Sequence, residues 1–312
     1  MFPAQRPRRS AGPVAERLRL DPAFMTHPLF DRRGVLLSGL GLGLSAPWAA
    51  AQTSSAPFKA YPFTWGVAAG DPASDGFVIW TRLAPNPLIH DGDMPPMDVE
   101  VGWEVASDPA FRRIVQNGRG VARAALAHSV HVEVAGLSPH TPYWYRFVAG
   151  GLSSPTGRAR TLPPLGAAID QVRLASVGCQ DYERGFYTAY RHLADEPDLD
   201  VVFHYGDYIY ELAPREHGVV RRHWGGETMT LADYRLRYAQ YKLDSDLQAA
   251  HAAAAFIMSF DDHEIDDNWA GPHGKDGGAT QAFAARKAAA LQAWYEHAPV
   301  RASVRPDLAG AR

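Results

Sequence analysis

Cysteine is nearly missing from this chain: Cys179 is the one such residue among 312. That excludes an intrachain disulfide and leaves thiolate chemistry as the reason to notice Cys179. Charge of one sign is not in excess either. Lys and Arg total 31 against 34 Asp and Glu, a formal net charge of -3, so no global positive field draws the chain to nucleic acid or to anionic lipid. The sequence also lacks a Gly-x-Ser-x-Gly elbow and a Gly-x-x-x-x-Gly-Lys loop, which argues against serine-hydrolase chemistry and against a nucleotide-cradling loop. What is present, 46% hydrophobic and 21% charged residues, lies near the globular average and disfavours disorder, collagen-like repetition and coiled coil. A length of 312 residues suggests two domains, each with a sizeable core.

The N-terminal 1–51 reads as an address. Seven arginines and three acids occupy the first 33 residues, and an apolar run from Val35 to Ala51 follows. Arg32 and Arg33 stand directly before the glycine-rich stretch that opens Gly34-Val35-Leu36-Leu37, and Ala49 to Ala51 offer small residues for cleavage before Gln52. This is the layout of a twin-arginine signal peptide, which hands a folded protein to the twin-arginine export machinery and implies a periplasmic or secreted location. A stable membrane anchor fits less well, because the run falls short of the roughly 20 residues a bilayer needs and is diluted by Gly39, Gly41, Gly43 and Pro47. A start at Met25 rather than Met1 would leave a more compact signal.

From Tyr61 to Thr161 the pattern is one of short alternating strands: Phe63 to Ala69, Phe77 to Arg82, Val99 to Ser107, Ile114 to Arg119, Val130 to Val134 and Tyr143 to Ala149. Turn residues separate them, so the segment 61–161 is expected to be an all-β sandwich. The stretch Gly136 to Tyr143 resembles the tyrosine corner of fibronectin type III modules. Pro155 to Ile169 is rich in Pro, Gly, Thr and Ala and reads as a linker. The remainder, 170–312, is expected to be α/β. Val172 to Val177, a helix over Gly185 to Ala194 and Val201 to Tyr205 form a βαβ unit. A helix beginning at Thr230 carries Tyr234, Tyr238 and Tyr241 on one face, read as core packing. Another helix leads through Ala254 into the strand Phe256 to Phe260, and a last one spans Ala279 to His297.

Three of these apolar strands run into polar clusters: Gly178-Cys179-Gln180, Gly206-Asp207-Tyr208-Ile209-Tyr210 and Asp261-Asp262-His263-Glu264. Strand ends are where α/β sheets collect ligands. Taken singly, each residue has a plain explanation: a buried Cys fills space, a strand-end Asp caps a turn, and a His satisfies the core. Their coincidence favours a metal site, because acids crowded at the end of an apolar strand repel unless a cation or solvent offsets them. Carboxylate, phenolate, thiolate and imidazole from Asp207, Tyr210, Cys179, Asp262 and His263 suit a redox-capable transition metal beside a hard cation.

These blocks, with Phe63 to Pro72 and Val78 to Arg82, resemble the PhoD-like alkaline phosphatases, exported metallophosphoesterases. The resemblance implies a fibronectin/Ig-like sandwich followed by an α/β metallophosphoesterase-type (α/β/β/α) domain. It implies hydrolysis of phosphate mono- and diesters by metal-activated water, with ferric iron (Fe3+) and calcium (Ca2+) as cofactors. It makes Cys179, Asp207 and Tyr210 iron ligands, with Asp207 bridging to calcium. Asp262 becomes a metal ligand, His263 a phosphate contact or catalytic acid, and Asn268 a lesser metal candidate. Basic side chains such as Arg184 would offset charge in the transition state. The family's later Gly-Asp-x-His block has no counterpart before Arg312, so the α/β domain is expected to be incomplete. That leaves a second reading, an inactive exported protein in which the sandwich is a binding module.

Overall fold

Residues with alternating or continuous apolar character from Val67 onward form eight strands: β1 (Val67–Ala73), β2 (Gly76–Arg82), β3 (Val99–Ala106), β4 (Ile114–Ala122), β5 (Ser129–Val134), β6 (Pro142–Ala149), β7 (Leu152–Ser153) and β8 (Gly157–Arg160). This computed structural model describes residues 58–277 and 279–306; the expected signal region lies outside them. Six of the eight strands fall within a few residues of their expected places. β8 differs, because it lies inside the expected linker and pairs with β6. Its inward residues are Gly157 and Ala159, too small to register as an apolar alternation. A Cβ at Gly157 would lie 2.2 Å from the Tyr145 ring, so only glycine lets this strand cross there. The Tyr143 hydroxyl accepts the Ser138 N–H at 3.0 Å, tying the turn before β6 back to backbone.

The second half adds β9 (Leu174–Val177), α1 (Thr188–Asp195), β10 (Val201–His204), α2 (Leu231–Lys242), α3 (Ser245–Ala253), β11 (Ala255–Met258) and α4 (Gln281–His297). Side chains cap three of the helices. Thr230 and Asp233 form a capping box on α2, Asp244 caps α3 and Thr280 caps α4. After α4 the expected featureless tail holds one short 3-10 turn, Ala302–Val304.

Strands from both halves share one sheet, in the order β5-β2-β1-β11-β10-β9; the second sheet runs β4-β3-β6-β7, with β8 also on β6. The junction is the parallel pair β1 and β11, Ala69 opposite Ala255. The linker composition near Pro155 therefore marks no break in the sheet. β2 explains why: all seven of its residues are buried, so both faces are covered. Phe77 and Ile79 pack with Val101, Val105, Tyr145 and Phe147 of the second sheet, and Trp80 turns the other way, its indole N–H donating to the Glu296 carbonyl in α4 at 3.0 Å. Val202 and Phe256 bury against Tyr234, Tyr238, Ala290 and Trp294 of the helices. The opposite face of β9, β10 and β11 leaves Leu174, Phe203 and Ile257 exposed.

The last turn of α2 buries Lys242 with its Nζ 4.3 Å from the Trp80 ring centre and 5.3 Å from that of Tyr208. Burial lowers its pKa from an ordinary 10.5 to about 7. The unfolded chain then holds this proton to higher pH than the folded one, so stability rises with pH between those two values. Lys242→Met is expected to stabilise the fold by at least about 1 kcal/mol near neutral pH. The gain should shrink towards pH 10, as followed by chemical denaturation across that range. A gain that is constant with pH would show that Lys242 stays charged in the fold.

Candidate metal centre

β10 lies between β9 and β11, with Val177 opposite His204 and His204 opposite Met258. This register brings the three polar clusters to one end of the sheet. Gly206 makes the approach possible: its φ is +126°, and a Cβ there would lie 2.6 Å from Asp261. The residues after the first two strands adopt left-handed backbone, Cys179 at φ +50° and Asp207 at φ +54°, a conformation that costs roughly 1–2 kcal/mol per residue. Neighbouring loops hold them there. The Cys179 N–H donates to the Gly206 carbonyl and the Gln180 N–H to the Asp207 carbonyl, both at 3.1 Å.

Two donors converge on one carboxylate oxygen. Cys179 Sγ and the Tyr210 hydroxyl each lie 3.2 Å from Asp207 Oδ2. The other oxygen, Asp207 Oδ1, is buried and has no hydrogen-bond partner among the described residues. Asp207, Asp262 and His263 can each offer a ligand atom within 4.8 Å of the others, and the Tyr210 ring lies 4.1 Å from the His263 ring, centre to centre. Asn268 sits differently: its backbone N–H donates to Asp262 Oδ2 at 2.6 Å, while its side-chain amide turns to Asp267 at 2.7 Å. Arg184 is largely exposed, 4.0 Å from Asp181.

Electrostatics fit this arrangement to a cation. Burial raises the pKa of Asp207, and the charges of Asp262 and Asp261 add to it against the opposing pull of Cys179 and His263. Burial and the neighbouring Asp207 likewise raise Cys179 and Tyr210. Carboxylate, thiol and phenol are thus each pushed towards holding a proton, and a cation placed among them would reverse the sign of every one of these shifts. A carboxylate with one orphaned buried oxygen, its other oxygen met by sulfur and phenol, and an imidazole nearby is a donor set that suits such an ion.

Residues behind the donors fix their positions. Glu211 is fully buried; its carboxylate accepts from His263 Nδ1 at 2.8 Å and from the Asp267 N–H at 2.9 Å. Burial alone would lower His263, but the Glu211 hydrogen bond and charge, with Asp207 and Asp262, raise it to about 9. Glu264, also fully buried, accepts the N–H groups of Asp207, Tyr208 and Asp261. Those donors favour its ionised form against burial, which pushes its pKa up to about 7. Tyr241, in the stripe read as core packing, is buried as expected, and its hydroxyl also accepts the Tyr210 N–H at 3.1 Å. Arg286 holds the turn that follows the third cluster by pairing with Asp266 at 2.8 Å. Neither Glu211 nor Glu264 was singled out by sequence. The available signal for Glu211 was an acid directly after Ile209 and Tyr210, and for Glu264 an acid directly before Ile265, places where an unpaired charge would be costly.

The chain is similar in sequence and in fold to known phosphatases. The PhoD-like phosphatase profile matches residues 174–311, and the profile of the PhoD-like phosphatase N-terminal domain matches residues 48–163. Alkaline phosphatase D of Bacillus subtilis (strain 168) is 50% identical over 290 residues, covering 89% of this chain and 49% of its own length. A solved structure of PhoD superposes with a TM-score of 0.78 at 52% identity, covering 80% of this chain and 48% of that one. A purple acid phosphatase from yellow lupin (Lupinus luteus) aligns at 14% identity with a TM-score of 0.45, over 73% of this chain and 39% of its own. The chain spans about half the length of the curated relative it matches. The chain belongs to the PhoD-like phosphatase family.

Proposed function

We propose that this chain carries the metal- and phosphate-binding centre of an exported alkaline phosphatase that hydrolyses phosphate mono- and diesters. The observation that carries this reading is the convergence of Cys179, Tyr210 and Asp207 at one point, with Asp262 and His263 beside it. Cys179, Asp207 and Tyr210 would hold ferric iron, since thiolate and phenolate stabilise a highly charged ion, and Asp207 would be shared with calcium alongside Asp262. Asn268 would join through its side chain only by leaving Asp267. When bound, the cations supply an acidified water as nucleophile and charge to neutralise the phosphate oxygens.

The chain's own residues supply the rest. His263 donates its Nδ1 proton to Glu211, and Nε2, 3.9 Å from Asp267 Oδ1, would be the atom that turns to a phosphate oxygen or the leaving alkoxide. As a cation it can donate the Nε2 proton to that alkoxide and so become neutral, its ring still held by Glu211 and by the Tyr210 face. The sandwich strands of 61–161 act as scaffold for the 170–312 segment, and their shared sheet supports that assignment. Twin-arginine export to the periplasm or beyond rests on Arg32 and Arg33 and the apolar run after them. No helix among the described residues is long and apolar enough to cross a membrane.

Asp207→Asn is expected to lower bound iron and hydrolysis of a chromogenic phosphate ester together, by about a hundredfold or more. Metal analysis beside the assay, with circular dichroism to confirm folding, reads the outcome. A variant that keeps both metal and activity would remove Asp207 from the centre. Wild type with neither would favour the binding-module reading. In the metal-free protein, NMR should place the His263 midpoint near 9. The pair then contributes stability in full below the ordinary 6.5 and loses it as pH rises through about 9. Glu211→Gln should return the midpoint towards the ordinary value, and an unmoved midpoint would show that Glu211 does not control His263.

A further inference from the structure

Resting on the metal-centre reading, we infer that Glu264 is a positioning residue whose carboxylate sets the gap between the two loops that carry the metal donors, and thereby sets cation affinity. It belongs to the β11 loop, beside Asp262 and His263, yet two of the three N–H groups it binds belong to the β10 loop. Its Oε2 accepts from Asp207 at 3.1 Å and from Asp261 at 2.7 Å, and its Oε1 accepts from Tyr208. One side chain thus clamps the backbone of both loops at the place where Gly206 already presses against Asp261.

The chemistry requires a carboxylate. Three backbone donors point at two oxygens of one buried group, and each of those oxygens has lone pairs to spare. Glutamine, of the same shape, would keep one acceptor and turn an NH2 group towards backbone N–H groups, so at least one donor would be left unpaired. Asp207 feels this directly. Its own N–H is among the three, its backbone is left-handed, and its Oδ1 is the buried oxygen without a partner. If that loop relaxes, Asp207 and Tyr210 move away from Asp262 and His263, and a cation that needs both sides loses half of its shell. Metal affinity typically falls ten- to a hundredfold when such supporting hydrogen bonds are removed.

The test uses the full chain with Mn2+ as probe, titrated by electron paramagnetic resonance, and amide hydrogen exchange of the metal-free protein. Glu264→Gln should speed exchange at the Asp207, Tyr208 and Asp261 amides by at least about tenfold and weaken Mn2+ binding about ten- to a hundredfold. Glu264→Asp, which keeps the charge but withdraws the oxygens, should do the same and serves if the glutamine variant does not fold. Phe147→Leu, a core change between the two sheets, supplies a destabilised control that should bind Mn2+ like wild type. If the Glu264 variants bind Mn2+ like wild type, or if their loop amides stay protected, the inference is wrong and Glu264 is merely a buried structural acid. Equal weakening in Phe147→Leu would also overturn it, since general destabilisation would then suffice. If wild type itself binds no Mn2+, the metal-centre reading fails first and takes this inference with it.

Discussion

Carboxylates gathered at the end of a sheet repel one another, and burial sharpens the repulsion. Asp207, Glu211, Asp261, Asp262, Glu264, Asp266 and Asp267 all follow the ends of β10 and β11, and the structure answers most of them individually. Glu264 is met by backbone N–H groups, Glu211 by His263 and the Asp267 amide, and Asp266 by Arg286 and Lys275. Asp207 is treated differently. One of its oxygens takes a thiol and a phenol, and the other takes nothing among the described residues. The fold meets most of the neighbouring charges with partners and leaves one Asp207 oxygen, among the described residues, to be completed by a proton or by a cation.

Holding that arrangement requires rigid surroundings, and the layering provides them. The central sheet is covered on one side by helices and, over β1, β2 and β5, on the other by the second sheet. Two left-handed residues, Cys179 and Asp207, are maintained at adjacent strand ends by backbone hydrogen bonds between their loops. Such strain persists only where the surroundings over-determine it, and here it coincides with two of the proposed metal ligands.

Much of this was visible in the sequence, for physical reasons. Apolar alternation located β3, β5 and β6, and the abrupt change from an apolar strand to Gly-Cys, Gly-Asp or Asp-Asp-His marked the loops that meet at one end of the sheet, since such groups are costly there without a partner. Other features were hidden because they depend on partners far along the chain. Gly157 and Ala159 make β8 a strand through a close crossing over Tyr145, which no local pattern encodes. The junction of β1 with β11 is a choice of neighbour rather than a propensity. Spacing could not say that Glu211 and Glu264 face backbone and imidazole while Asp207 and Asp262 face the centre. Nor could it say that the Asn268 amide turns to Asp267.

The β1–β11 pair also governs the order of events during synthesis. β1 and β2 can form their antiparallel ladder early, but the far edge of β1 stays open until the chain beyond Met258 has emerged and β11 can dock against it. Pairings between such distant segments carry a high loop-closure cost and slow the search. Throughout that interval β1 and β10 expose unpaired backbone edges, the part of a nascent protein most prone to association with other chains.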